Sequence, residues 1–196
     1  MSRRLASITL DNLDDLPPKC RRCVFWELDP VSQARAIEVG DPALEKEAWI
    51  SSVLLEWGSC GKIVYVDGVP AGYLTYAPPS YAPRSVAFPT SPVSADAVLL
   101  MTAHVMSEFA GGGLGRMLVQ GLAKDLTRRG IKAIEAFGDN KWTQPSCVVI
   151  SMAWKYRSTT RRAPTRSWLR SPSRTAAARC RASAGSRLRR SRARTV

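Results

Sequence analysis

The segment from residue 97 to residue 137 constrains this chain more than any other. An apolar run at 97–106, interrupted only by Thr102 and His104, leads into Gly111-Gly112-Gly113-Leu114-Gly115. Leu114, Leu118, Leu122 and Leu126 then recur on one helical face as far as Gly130, and residues 131–137 form a second short apolar run. A run apolar on both sides suits a central strand covered on both faces, and leucines four apart mark a helix. The order strand, glycine turn, helix, strand is a βαβ unit, for which a right-handed crossover is expected.

Such a turn gathers unpaired backbone N–H groups at the positive end of a helix dipole, a geometry that accepts phosphate oxygens. A mononucleotide loop is excluded because no Gly-Lys-Ser/Thr follows, and a dinucleotide fingerprint fits poorly because Leu118 stands where its third glycine belongs. The plainer reading is a flexible connection.

Upstream, Asp41-Pro42 reads as a helix cap and first residue, with Leu44, Ala48, Val53 and Trp57 at near-helical spacing before Gly58. Residues 62–66 and 71–77 are β-rich and flank Asp67-Gly68, which predicts an antiparallel hairpin. Five prolines at 78, 79, 83, 89 and 92 predict an irregular surface loop. Val24-Phe25-Trp26-Glu27 is expected as a short first strand. The fold class is therefore α/β (α+β): a mixed sheet with a hairpin and a central strand, followed by the βαβ unit.

Charge divides the chain. Residues 1–149 carry 15 Lys and Arg against 16 Asp and Glu, whereas residues 150–196 carry the other 14 basic residues and no acid. No apolar run approaches the roughly 18–20 residues of a membrane span, and Arg3 and Arg4 are followed by acids rather than a signal core, so a cytoplasmic protein is expected. Five cysteines lack the density of a disulfide scaffold, which predicts reduced thiols. Cys20-x-x-Cys23 has no second ligand pair beside it in sequence, so no metal site is expected.

With the hairpin, proline loop, central strand, glycine turn, helix and strand in this order, residues 20–139 resemble the GNAT N-acetyltransferase superfamily. Its coenzyme A motif, Gln/Arg-x-x-Gly-x-Gly/Ala, is met by Gly113 and Gly115, with Ala110 in place of the long polar side chain. The segments Cys20-Arg21-Arg22-Cys23-Val24-Phe25-Trp26-Glu27 and Glu135-Ala136-Phe137-Gly138-Asp139 resemble an actinobacterial subgroup of that superfamily. The resemblance implies acetyl-CoA as a substrate, its pyrophosphate on the amides of Gly111, Gly112, Gly113, Leu114, Gly115 and Arg116. It implies a central strand that splays from its neighbour and pairs with the pantetheine arm through Ala103, His104 and Val105. It further implies an amine acceptor, small molecule or protein, that attacks the thioester with help from a base.

His104, the chain's only histidine, and Glu108 are the candidate bases; their plainer readings are a hydrogen-bonded strand histidine and a solvated loop charge. The family's acid, a tyrosine in a Tyr-x-x-x-Gly-Phe-like context, has no counterpart, since Tyr156 is followed by Arg157-Ser158-Thr159-Thr160.

Residues 150–196 contain 13 Arg, 8 Ser, 8 Ala and 5 Thr, too few large apolar residues for a core, and are expected to be disordered. Two readings stand. A GC-rich gene read out of frame yields this composition, so the tail is expected to be a frameshift or altered-terminus product. The domain at 1–149 would then lack the family's final helix and hairpin and be degenerate or inactive. Alternatively, the body is a non-catalytic scaffold and the arginines give salt-sensitive, non-specific nucleic-acid binding, which deletion of residues 150–196 would abolish. Oligomeric state is left open by the sequence.

Overall fold

The computed structural model describes residues 1–88 and 90–138, together with the backbone of two short strands, Tyr156–Arg157 and Ala178–Ala182. Its sheet begins with β1 (Arg3–Ser7), β2 (Gly61–Val66), β3 (Val69–Ala77), β4 (Ala97–Val105) and β5 (Ala133–Gly138), lying in that order. The first four strands pair antiparallel, and β4 pairs parallel with β5. Parallel pairing requires a crossover, supplied here by a helix at Leu114–Arg128. Three helices precede β2: α1 (Pro18–Arg21), α2 (Pro30–Glu38) and α3 (Pro42–Glu56); the crossover helix is α4.

The expected local signals are in place. The Asp41 carboxylate caps α3 by accepting from the Ala43 N–H at 2.9 Å, and Pro42 opens the helix. Asp67 (φ 49°) and Gly68 (φ 84°) both take the left-handed conformation that a two-residue hairpin demands. Leu114, Leu118, Leu122 and Leu126 are all at most 2% exposed and pack on Val98, Leu100, Ile134 and Ala136 of the central strands. Each contributes roughly 1.5–3 kcal/mol of burial. Near the far end of α4, Asp125 accepts from the Tyr76 hydroxyl at 2.7 Å and faces Arg129 at 3.1 Å and Lys62 at 3.7 Å, tying the helix to β2 and β3.

Two expectations are corrected. Residues 24–27 form turns, not a strand: Trp26 is 2% exposed and stacks on Phe88 at 5.2 Å and Phe137 at 5.9 Å, so this run is buried by aromatic packing instead of a ladder. The first strand is β1, whose Arg-Arg-Leu-Ala-Ser reads as polar because it lies at the sheet edge, where charge discourages further pairing. The proline loop is not wholly at the surface either. It makes two 3-10 turns, Pro79–Tyr81 and Pro83–Ala87, and folds Ala82, Val93 and the half-buried Phe88 onto the sheet face that carries Leu99, Met101 and Phe137. Prolines barred it from a ladder without barring it from the core.

On the outer edge of β5, β6 (Tyr156–Arg157) pairs at Ala133, and β7 (Ala178–Ala182) pairs from Ile134 to Gly138, both antiparallel. Apart from those two strands, the tail expected to be disordered lies outside the described residues. No helix among the described residues is long and apolar enough to cross a membrane.

Cys60, fully buried where α3 hands over to β2, gives a pH prediction. Burial pushes its thiol from an ordinary 9.0 up to about 11. A folded value above the unfolded one means that the native state holds the proton longer. Stability is then intact below pH 9 and falls as pH climbs from about 9 to 11. Urea midpoints measured across that window should fall less steeply for Cys60→Ala than for the wild type. Equal slopes would show that the thiol is not what titrates. A residual slope is expected from Tyr65, raised to about 12 by burial and its bond to Asp15.

Candidate active site

Strand β4 leaves its parallel neighbour early. It faces β5 only through Ala97↔Ala133, Val98↔Ile134 and Leu99↔Glu135. On its other edge the register slips: Thr75 faces Thr102 but Tyr76 faces Leu100, so Met101 is an extra residue in β4. A bulge bends its strand and increases local twist, and this one comes two residues after the last β5 partner. Beyond it β4 stays on β3, with Leu74↔Ala103, Tyr73↔His104 and Gly72↔Val105. Gly72 allows that closeness, since a Cβ there would stand 2.7 Å from the His104 carbonyl oxygen. The edge of β4 that β5 has left can take an extended ligand arm as though it were another strand.

Along this stretch Ala103 is exposed, and His104 and Val105 are half-buried. The His104 ring lies 6.1 Å from that of Tyr73, tilted by 50°. Val105 packs on the α4 side of the sheet. Met106 then returns to β3 through its N–H on Ala71 O at 3.0 Å, and a 3-10 turn at Ser107–Phe109 leads into the glycines. Glu108, on that turn, is exposed and accepts from the Ser107 hydroxyl at 3.2 Å. The structure thus separates the two candidate bases: His104 flanks the opened strand edge, and Glu108 sits on a solvent-facing turn.

Gly111 (φ 79°) and Gly113 (φ 78°) both take left-handed backbone, with nothing within 4 Å of where a Cβ would be. Their requirement is conformational, not steric. Within α4 the Met117 N–H is bonded to Gly113 O at 3.1 Å. Among the described residues, the amides of Gly111, Gly112, Gly113, Leu114, Gly115 and Arg116 make no backbone hydrogen bond of ordinary geometry. Leu114 is 2% exposed and anchors the turn to the core, while the other five residues are exposed. The turn is therefore open to solvent at the start of a fifteen-residue helix, positioned to receive an anion.

A model of the acetyltransferase (GNAT) family matches residues 17–147, more than half of the chain. The chain belongs to that family. A comparison with curated proteins returns no match. Solved structures that resemble this acetyltransferase-family chain include the PaiA N-acetyltransferase of Thermoplasma acidophilum in complex with coenzyme A. It is 12% identical, with a TM-score of 0.46 over 72% of this chain and 82% of that one. An N-acetyltransferase from Staphylococcus aureus Mu50 is 14% identical, with a TM-score of 0.45 over 70% and 73%. Diaminobutyrate acetyltransferase EctA from Paenibacillus lautus, in complex with L-2,4-diaminobutyric acid and coenzyme A, is 14% identical, with a TM-score of 0.39 over 69% and 65%.

The family match begins after β1, so the edge strand of this GNAT domain lies outside it. Sequence reasoning missed three features of the site: the bulge at Met101, the close approach at Gly72, and a side chain from β1, Arg3, that reaches the glycine turn. Cys20 is buried beside Ile8, Leu13 and Leu16, and the Cys23 N–H is bonded to Cys20 O at 3.2 Å. Among the described residues no cluster of three or more His, Cys, Asp or Glu is placed to hold a metal.

Proposed function

We propose that this chain binds acetyl-CoA and transfers its acetyl group to an amine. In this reading the phosphates lie on the amides of Gly111, Gly112, Gly113, Leu114, Gly115 and Arg116, and the pantetheine arm runs along Ala103, His104 and Val105. The observation that carries it is the parting of β4 from β5 after Leu99↔Glu135, on the strand that leads through a short 3-10 turn into the exposed glycine turn. One opened strand edge and one anion-accepting turn in series match a ligand with an amide-bearing arm and a diphosphate.

The acceptor nitrogen attacks the thioester carbonyl. The C–N bond forms, the C–S bond breaks, and coenzyme A leaves as a thiolate that takes up a proton, while the amine gives its proton to a base. Holding the two reactants together supplies much of the acceleration. Of the two candidate bases, His104 has the better position, since its half-buried ring borders the arm. Residues 1–149 form the acetyl-CoA-binding domain in this proposal, and residues 150–196 are a basic extension whose β6 and β7 pair with β5.

Thermal unfolding of the full chain with and without acetyl-CoA tests the reading. At one hundred times the dissociation constant the ligand adds about 2.7 kcal/mol, which for a chain of this size raises the midpoint by roughly 5–10 °C. No shift at millimolar acetyl-CoA would sink the proposal. Thiol release with a panel of amines then separates an active transferase from a binder without turnover.

A further inference from the structure

Arg3 lies 109 residues from the glycine turn in sequence, yet its Nη1 donates to the carbonyl oxygen of Gly112 at 2.9 Å. The strand holds it there. Arg3 pairs with Val66, while the Ser2 N–H donates to Asp67 Oδ1 at 2.6 Å and the Asp67 N–H donates to Ser2 O at 2.8 Å. Leu5, two residues on and therefore on the same face of β1, sits 2.2 Å from where a Cβ on Gly121 would stand. The glycine lets β1 lie close against α4, and one step up the strand Arg3 meets the turn ahead of that helix. No carboxylate pairs with Arg3 among the described residues.

A trans peptide is planar, with its C=O and its N–H pointing in opposite directions. Fixing Gly112 O toward β1 therefore turns the Gly113 N–H to the opposite side of the turn. Without that bond, the peptide between two glycines is free to rotate, because neither residue restricts its backbone. The charged donor also polarises the peptide it holds, which strengthens the N–H on the far side.

We infer that Arg3 is a positioning residue for the phosphates of the acyl-CoA donor, acting through the Gly112–Gly113 peptide to hold the Gly113 amide in its anion-accepting orientation. The inference rests on the acetyl-CoA reading above. It assigns a role to a strand that the family match does not reach.

Calorimetric titration of the full chain with coenzyme A, and with pantetheine as a phosphate-free probe, tests it in the wild type, Arg3→Met and Arg3→Lys. Methionine keeps an apolar stem of similar length but has neither donor nor charge. Arg3→Met is expected to weaken coenzyme A by about tenfold, the size of one charge-assisted hydrogen bond. It should leave pantetheine affinity and the unfolding midpoint unchanged. Arg3→Lys, which keeps a charged donor, should recover most of the loss. Arg3→Met binding coenzyme A as tightly as the wild type overturns the inference, and so does equal weakening of both ligands, the signature of a merely structural role. A wild type that binds no coenzyme A overturns the acetyl-CoA reading itself, a result separate from either.

Discussion

Lys46→Met lowers the stability of the fold by about 3–5 kcal/mol, read as a fall in the urea midpoint at neutral pH, because it strands a buried carboxylate. Lys46 and Glu27 are each 5% exposed, and the Lys46 ammonium is in contact with Glu27 Oε1 and donates to Cys23 O at 2.8 Å. The other oxygen of Glu27 accepts from the Trp26 N–H at 3.1 Å. The pair thus joins α3 to the turn that carries Phe25 and Trp26, and through Trp26 to Phe88 and Phe137 beneath the parted strands. Replacing both partners, as Glu27→Leu with Lys46→Met, removes the stranded charge and should recover part of the loss. It should not recover all of it, since the buried backbone N–H of Trp26 loses its acceptor, at about 1–3 kcal/mol. A single variant that loses less than about 1 kcal/mol would mean that water reaches the Glu27 carboxylate, and that α3 is held by apolar contact alone.

What the sequence makes legible is local chemistry. Asp41-Pro42 starts α3, Asp67-Gly68 turns the hairpin, and leucines four apart define the buried face of α4. Each signal depends on residues within a few positions of one another. The features that sequence reading misses are set by partners far along the chain. Strand β1 is marked by neither hydrophobicity nor alternation, because its identity comes from pairing with β2 some sixty residues later. Phe25 and Trp26 have strand-like composition, but the aromatic layer of Phe88 and Phe137 offers them more burial than a ladder would. The same division runs through the site. The glycine turn could be read because φ near 78° is open to glycine and to little else. The bulge at Met101 could not, since an apolar residue in a strand looks the same in or out of register. His104 and Glu108 are four residues apart and looked equivalent, yet strand pairing half-buries one and the turn exposes the other.

Gly113→Val is expected to weaken acetyl-CoA binding by one to two orders of magnitude while lowering stability by no more than about 1–2 kcal/mol. At φ 78° a side chain meets its own backbone, at a cost of that size per residue, and a β-branched one fits worst. The turn escapes by rotating into another conformation, which carries the Gly113 and Leu114 amides away from the phosphates, so strain and lost contacts both fall on the bound state. Gly115→Ala separates these effects. Its backbone is not left-handed, its Cβ would find Val105 at an ordinary 3.8 Å, and it lies inside α4, where alanine is the better helix former. The free protein should be as stable as the wild type or more so, and any loss of affinity must come from a methyl group obstructing the ligand at the helix start. Titrating both variants with acetyl-CoA beside their unfolding midpoints decides the matter: if Gly113→Val binds like the wild type, these amides do not hold the diphosphate. If Gly113→Val fails and Gly115→Ala does not, the phosphates lie on the turn, short of the helix's first residues.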